Sequence, residues 1–523
     1  GVLRDEDREA LERQQIFLAP HGMEQFHLEI QNLYAALAQP TEKLTVSYPV
    51  SDGKGAEKRP SFVIGRIARL LPSISVETES ADKEYRLSAK STALEYAGEH
   101  IGGALWQYFE GQGDAERALA AMKDASRYTR GHLSRDAVRA LYGGAVTLSA
   151  SRMDMARSCH FAYFMRYGLK ARERTGAGFD APQIGTFVHD VMEHTLRQAK
   201  ECGGLHTLSK DKLHALVRAS IEEYIDRVLP DLCEKSARFR YLFNRLCATV
   251  ERIMDEVSEE LQSSDFEPLA FELEFGADGQ LPAITIREEN GTARVVGKVD
   301  RVDGWLHDGK LYLRVVDYKT GKKSFDLAEL RYGLGLQMLL YLFTLKEEGQ
   351  MLFGGHEIVP AGVLYTPARE PMLRCARDTE PETIEKALKK ELRRSGMVLE
   401  DPAVLQAMEH SALESPCYLP IAVKRDGAVT GSLASAEQLG KLSKYVDHIL
   451  HEITQEVFAG NIDADPYART PQQSACTYCE FASACHFENG CGSDRMEYIK
   501  ATKNDEFWQY IDEVNGEGAH ENG

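Results

Sequence analysis

No stretch of this chain reads Gly-x-x-x-x-Gly-Lys-Ser/Thr; Gly321-Lys322-Lys323-Ser324 lacks both the upstream glycine and a hydroxyl directly after its Gly-Lys pair. Without that phosphate cradle, no ATP hydrolysis is expected from the chain by itself. It also lacks an apolar run long enough to cross a bilayer. The N-terminal Leu3-Arg4-Asp5-Glu6-Asp7-Arg8 is too rich in charge to be a secretory signal, and no internal repeat marks a solenoid. These absences point to the cytosol and argue against a membrane partner. Positive charge is scarce too: 62 Lys and Arg stand against 81 Asp and Glu, a net charge of −19. Bulk wrapping of nucleic acid needs concentrated Lys and Arg, so only a locally basic channel remains open. Arg152 to Arg174, with Arg157, Arg166, Lys170 and Arg172, is one candidate, and Lys389-Lys390 with Arg393-Arg394 another. Such stretches are more often solvated helix faces than DNA tracks.

What is present is a chain of 523 residues, enough for two or three domains, with the 43% apolar and 27% charged content of a globular protein. Residues 1 to about 75 read as mixed helix and strand: a helix near Gly22 to Leu37, an extended Leu44-Thr45-Val46-Ser47-Tyr48-Pro49, and a helix opened by Pro60-Ser61-Phe62. Helices are expected over 88 to 145. Leu148-Ser149-Ala150-Ser151 supplies an N-cap for a helix from Met153 to Tyr167, with Gly168 ending it. Further helices are expected from Gly185 to Lys200, over 209 to 227 and over 236 to 262. Strands follow at Leu269–Phe275, Ala283–Arg287, Ala293–Val299, Leu311–Lys319 and Ile358–Thr366, with a helix from Leu327 to Glu348 inside the series. Helices first, then a largely β unit flanked by helices, predict an α/β core with a helical preface. The polar tail from Asn515 onward predicts disorder.

The most informative segment is Leu311 to Lys319, whose β-branched and aromatic residues, set between Gly309 and Thr320-Gly321, predict a strand. Residues two apart share a strand face, so Asp317 and Lys319 point one way and Tyr318 the other. An isolated Asp-x-Lys is usually a surface ion pair. Here it follows Gly297-Lys298-Val299-Asp300-Arg301, so Asp300 and Asp317 fall on neighbouring strands and could bridge divalent ions. Phosphodiester cleavage needs an activated water and neutralised phosphate charge, which such ions supply. Oxygen ligands suit Mg²⁺ or Mn²⁺, and His189, in Gly185-Thr186-Phe187-Val188-His189, is the imidazole candidate that would favour Mn²⁺. Gln337 and Tyr341 share a helix face just beyond the Asp-x-Lys strand and could touch the DNA backbone or the metal's water. Glu274 is a further carboxylate on an earlier strand.

The ten cysteines are not those of a disulfide scaffold. Cys476-Thr477-Tyr478-Cys479, followed by Cys485, has the spacing of a metal or cluster loop with one coordination position to fill. Cys159 is the first candidate for it and Cys491 the competitor. Spacing alone leaves zinc and [4Fe–4S] level.

In order along the chain, Ser149 to Met153, Cys159-His160-Phe161-Ala162-Tyr163-Phe164, Tyr167-Gly168-Leu169, Gly185 to His189, Gly297 to Arg301, Asp317 to Thr320, Gln337 to Tyr341 and the cysteine triplet resemble the RecB-family nuclease domain, of PD-(D/E)XK type. The split of one upstream and three downstream cysteines is similar to the AddB family, the B subunits of the ATP-dependent helicase/deoxyribonucleases. Glu24-Gln25-Phe26, Leu33 to Leu37, Leu44 to Pro49 and Arg59-Pro60-Ser61 resemble the end of that family's helicase-like region. Where a working motor would be expected to offer an Arg to ATP, Gln39-Pro40 stands, which fits an inactive motor.

The resemblance implies three segments. Residues 1–145 are the end of a superfamily 1 helicase-like region, 146–495 a PD-(D/E)XK nuclease domain with an iron–sulfur cluster, and 496–523 a C-terminal helix and disordered tail. The chain then corresponds to a C-terminal part of a longer subunit. His189, Asp300 and Asp317 become metal ligands and Lys319 the catalytic lysine, with Asp300, Asp317, Gln337 and Tyr341 beside it. Cys159, Cys476, Cys479 and Cys485 become ligands of a [4Fe–4S] cluster. The implied activity is Mg²⁺-dependent exonucleolytic hydrolysis of the 5′-ended strand during double-strand break repair. The implied partners are the AddA helicase–nuclease subunit, duplex DNA ends and single-stranded DNA, in a bacterial cytoplasm and on the nucleoid. The family usually has Pro after the first cysteine; His160 stands there and could compete for the cluster. Two other readings share some features: a scaffold stapled by a cluster whose nuclease has decayed, and a stand-alone Cas4-like nuclease, which leaves the first 75 residues unexplained.

Overall fold

A computed structural model describes the chain except at residues 1–4, 17, 20–21, 51–56, 75–85, 128, 173–180, 231–235, 277–278, 374, 377–378, 471 and 522–523. It divides into two compact units, Gly1–Leu119 and Ala120–Gly523. The motif-based boundary lies later, at 145/146; the Arg135–Tyr142 helix between them buries Val138 in the main core of the second unit.

The first unit is helical among its described residues. Gly22–Ala38 and Phe62–Leu70 form as expected, the second capped by Ser61, whose hydroxyl accepts from the Val63 amide. Lys90–Glu99 and Ala104–Phe109 follow, burying Ala93, Ala97, Trp106 and Phe109. The extended reading of 44–49 gains no strand partner: these residues lie outside regular structure and are exposed.

The second unit is built on a six-stranded mixed sheet. Its strands are β2 (Glu267–Phe275), β5 (Gly297–His307), β6 (Lys310–Lys319), β7 (Glu357–Pro367), β8 (Ser395–Leu399) and β11 (Leu433–Ala434), in the order β11-β8-β7-β6-β5-β2. β5 and β6 pair antiparallel through a tight turn in which Asp308 and Gly309 take φ 49° and 73°, the left-handed pair that a two-residue hairpin requires. β6 and β7 are parallel, and the apolar Gln337–Glu348 helix makes the crossover that such a pair needs. Central and covered on both faces, β6 buries six residues in a row, Leu313 to Tyr318. A smaller sheet joins β1 (Ala145–Leu148), β4 (Gly291–Val295) and β3 (Ile284–Glu288), and β9 (Ile421–Val423) pairs antiparallel with β10 (Val429–Gly431).

Several elements differ from their sequence reading, each for a local reason. The strand expected over Ala293–Val299 is two strands in two sheets. It parts at Val296, whose amide donates to the Leu148 carbonyl. The helix expected from Leu327 to Glu348 is broken at Gly333 and Gly335, which take φ 73° and 69°; the Gly335 amide donates instead to Asp154 Oδ1 at 2.9 Å. The helix expected from Met153 to Tyr167 runs Ala150–Ser158, breaks at an extended Cys159, and resumes at His160–Tyr163 before a π-turn over Phe164–Gly168. Gly168 is not a left-handed C-cap. A Cβ there would meet the Tyr142 hydroxyl at 2.8 Å, so close packing explains this glycine. The Asn504–Glu521 helix covers most of the tail read as disordered, anchored by buried Phe507 and Ile511. Among the described residues, no helix is long and apolar enough to cross a membrane.

A buried ionic cluster lies against the six-stranded sheet. Arg301, Asp303 and Arg314, each fully buried, lie with Glu260 of the Ala237–Gln262 helix and with Arg394. Arg314 Nε donates to Asp303 at 2.9 Å, and Arg394 Nε and Nη2 donate to Glu260 at 3.0 and 2.6 Å.

Candidate metal centre and cysteine loop

The ends of β5 and β6 bring the candidate carboxylates together. Register pairs Arg301 with Val316, so the next residues outward, Asp300 and Asp317, face each other across the ladder. Strand alternation then sorts the side chains. Asp317 and Lys319 share a face, with Lys319 Nζ 2.6 Å from Asp317 Oδ2. Tyr318 turns inward, its hydroxyl accepting from Arg301 at 2.6 Å. Its main chain serves the site: the Tyr318 amide donates to Asp300 Oδ2 at 2.9 Å, and its carbonyl lies 2.9 Å from His189 Nε2. His189, on the Ala181–Glu201 helix, puts Nδ1 3.2 Å from Asp300 Oδ2.

The group that clusters at ligand spacing is His189, Glu272 and Asp300, with one ligand atom from each lying within 4.8 Å of the others. Asp317 faces Lys319 beside this group. Glu274, the carboxylate picked out on β2, is exposed and lies outside it. Glu272 is two residues earlier. Pairing of Phe271 with Arg301 and of Leu273 with Val299 sets it opposite Asp300, where it leaves the ladder with φ 49°. For a non-glycine residue that backbone costs on the order of 1 kcal/mol, and such strain concentrates at functional sites. Only the β2–β5 register, which a single sequence does not reveal, separates Glu272 from Glu274. Lys298, two residues before Asp300, lies 2.6 Å from Glu272.

Electrostatics at the site call for a cation. Burial, then the like charge of Asp300, push Asp317 up to about 6 despite Lys319. Burial opposes charge on His189, but Asp300, Asp317 and the Tyr318 carbonyl outweigh it and raise its pKa to about 9. Glu272 is also raised, by burial first and partly by Asp300. Three crowded carboxylates are hard donors that fit Mg²⁺ or Mn²⁺, and the borderline imidazole of His189 tilts the set toward Mn²⁺. Gln337 and Tyr341 flank the group: Gln337 Nε2 donates to the Tyr341 hydroxyl at 3.2 Å. Tyr341 packs edge-on against Phe275, and a Cβ at Gly297 would strike both rings, at 2.5 and 2.6 Å. Gly297 is therefore needed for Tyr341 to reach the strand.

The cysteine loop follows β12 (Tyr467–Thr470) and β13 (Gln473–Ser474). Burial, then the charges of Cys479 and Cys485, raise the Cys476 thiol; burial also raises Cys485, which Arg130 partly offsets. Cys159 is buried at the helix break and pushed up to about 12 by that burial. Cys491 is exposed. The group at ligand spacing among the described residues is His189, Glu272 and Asp300, and no cysteine belongs to it. His160 does not compete as a free imidazole. Its Nδ1 meets Asp465 and its Nε2 lies 3.2 Å from Glu456, and although burial opposes it these acids raise its pKa to about 10. Polar links bind the upstream segment to the loop: Arg166 to Glu480 at 2.9 Å, and Arg130 to the Cys485 carbonyl and Asp494, both at 2.8 Å. Arg130 also stacks 4.5 Å over Phe161. Nothing in its sequence context marks it.

The stretches read as possible DNA tracks are largely occupied internally. Arg152 donates to the Thr147 carbonyl, Arg157 pairs with Glu452 and Glu456, Arg394 is buried on Glu260, and Lys389 pairs with Glu385.

Residues 147–486 match the PD-(D/E)XK nuclease superfamily. Curated relatives named as the B subunits of ATP-dependent helicase/deoxyribonucleases align over nearly the whole chain. The Ruminiclostridium cellulolyticum protein is 30% identical over 98% of this chain and 47% of its own length. The Acetivibrio thermocellus protein is 31% identical over 98% and 46%. A Clostridium botulinum relative is 29% identical over 98% and 47%. The chain thus spans about half the length of the curated relatives it matches.

Proposed function

Since the chain belongs to the PD-(D/E)XK nuclease superfamily, we propose that it is the nuclease-bearing part of a helicase–nuclease subunit that resects double-strand DNA breaks for recombinational repair. The observation that carries this reading is the meeting of Asp300, Asp317, Lys319 and His189 at the adjacent ends of two paired strands. In the proposal, His189, Asp300 and Asp317 hold Mg²⁺ or Mn²⁺, and Glu272 completes the oxygen set. The bound ion supplies charge neutralisation at the phosphate and an acidified water. Lys319, held against Asp317, orients that water and steadies charge on the phosphate oxygens. Lys298 keeps Glu272 turned toward Asp300. Gln337 and Tyr341 line the strand's approach. Reaction at the 5′-ended strand, duplex ends and single strands as DNA substrates, a partner of AddA type and a bacterial cytoplasmic setting belong to the same proposal; the relatives' designation as one subunit of a helicase/deoxyribonuclease supports a partner subunit and a DNA substrate. So does the assignment of residues 1–145 to an inactive helicase-like region and of 146–495 to the nuclease.

The test uses the full-length subunit with its partner on linear duplex DNA, each strand end-labelled in turn. Mg²⁺-dependent shortening of the 5′-ended strand is the expected result. A complex that unwinds DNA yet leaves that strand intact would favour the nuclease-dead scaffold.

The cysteines, we propose, hold a [4Fe–4S] cluster through Cys159, Cys476, Cys479 and Cys485, tying the domain's entry to its exit. Cys159→Ala should lose the cluster's visible absorbance and lower the melting temperature, by several degrees if the closed loop of more than 300 residues contributes a few kcal/mol. Unchanged absorbance and melting temperature would remove Cys159 from the ligand set.

A further inference from the structure

Beside the candidate catalytic lysine lies a second, differently charged cavity. Lys319 lines it, none of His189, Glu272 and Asp300 does, and the cavity holds about 260 Å³. Lys322, Lys323, Arg369 and Arg393 complete a ring of five cations against one carboxylate, Glu391. In a chain with net charge −19 this is an unusual concentration.

The cations are presented by the fold. Lys319 sits 5.7 Å from the centre of the Tyr365 ring, at the end of β7. Arg393 is fixed by donating to the Pro416 and Ile421 carbonyls, and its buried Nε has no hydrogen-bond partner among the described residues. Arg369 keeps a loose contact with Glu391, and Lys323 one with Glu329, both at 3.6 Å. Lys322 is exposed on the Gly321–Ser324 loop, where a Cβ on Gly321 would meet nothing within 4 Å. The loop backbone is therefore open to a ligand's close approach.

We propose that this pocket binds the phosphodiester backbone of a single DNA strand next to the bond being cut. The inference rests on the nuclease reading. A polyanion brought to a cleft of crowded carboxylates needs adjacent cations to hold it, and the four cations beside Lys319 provide that hold on one side of the reacting phosphate. The cavity has room for one phosphate and its sugar, so it can grip the backbone of only one strand.

The test compares the full-length protein with its Lys322→Ala/Lys323→Ala variant, both positions being exposed and the fold checked by circular dichroism. Binding of a short labelled single-stranded oligonucleotide is measured by anisotropy in EDTA across a salt series, and cleavage of the same oligonucleotide in Mg²⁺. Single strands release about 0.7 counterion per neutralised phosphate, so the slope of log K against log salt should fall by about 1.4. Kd and KM should each rise about tenfold, with kcat changed less than threefold, and Lys→Arg replacements at both positions should restore them. An unchanged Kd and salt slope in the variant would overturn the pocket assignment. So would a variant that binds the oligonucleotide normally and loses only its inhibition by a deoxynucleoside monophosphate, because the cavity would then hold released product. Failure of the wild-type protein to cleave in Mg²⁺ would instead count against the nuclease reading, and the binding series would still decide the pocket.

Discussion

Asp317→Asn should reduce DNA cleavage by at least about 10³-fold while leaving the melting temperature in metal-free buffer equal or higher. The first half follows from the proposed role: a catalytic ion contributes several kcal/mol of charge stabilisation in the transition state, and each 1.4 kcal/mol is tenfold in rate. The second half follows from the pKa. Burial and the Asp300 charge push this carboxyl up to about 6, above its ordinary value of 3.8. A raised carboxyl favours the folded state while protonated and costs stability as pH rises through that window, so at neutral pH the folded protein carries an unfavourable charge. Asparagine removes that charge and keeps the volume. The partner it abandons, Lys319, is partly exposed and can be hydrated. Cleavage of end-labelled duplex and differential scanning calorimetry, each with and without Mg²⁺, read the two halves separately. Added Mg²⁺ should raise the melting temperature of the wild type more than that of the variant. Cleavage within tenfold of wild type would remove Asp317 from the site.

What could be read in the sequence was what short-range periodicity encodes. Asp317, Tyr318 and Lys319 sort onto opposite faces of β6 because strand geometry allows nothing else, and the β-branched and aromatic residues of Leu311 to Lys319 mark the strand; that Arg314 is buried within it is set by the ionic cluster, not by local pattern. Positions fixed by long-range register were out of reach. Glu272 and Glu274 are equivalent by alternation, and only pairing with β5 sets Glu272 against Asp300. The break between Leu327 and Gln337 was foreshadowed by Gly333 and Gly335, but the apolar periodicity continues through them, and what ends the helix is an amide donated to Asp154 from 181 residues upstream. Arg130 has no local signature at all; its place is set by Cys485 and Asp494, more than 350 residues away. Runs of basic residues are also a poor guide to a basic channel. Arg157 and Arg394 are spent on internal acids, whereas the fold adds Arg369 and Arg393 to the Lys319, Lys322 and Lys323 of one segment.

Glu260→Ala should cost about 3–5 kcal/mol, the range for removing one partner from a buried ion pair. The cluster already holds three guanidinia, on Arg301, Arg314 and Arg394, against the carboxylates of Asp303 and Glu260, and losing Glu260 would leave the three facing one. Burial alone would push Glu260 up. The charges of Arg394, Arg314 and Arg301 outweigh it and hold the carboxyl down at about 2. A depressed carboxylate gives its stabilisation fully above its unfolded pKa, about 4.3, and loses it as pH falls toward the folded value. Wild-type stability from this source should therefore decline between about pH 4.3 and pH 2, and Glu260→Ala should lack that part of the decline. At neutral pH the cost corresponds to a fall of roughly 4–6 °C in melting temperature for a unit of this size. The consequence reaches the candidate site through one side chain. Arg301 holds the Tyr318 hydroxyl, and the main chain of Tyr318 holds Asp300 and faces His189. An unbalanced Arg301 should loosen that residue, so metal affinity measured by calorimetry should weaken in the variant even well below its transition. Calorimetry showing a melting temperature within about 2 °C of wild type at pH 7 would mean the cluster contributes little, and that β5 and β6 are held in register by their apolar faces alone.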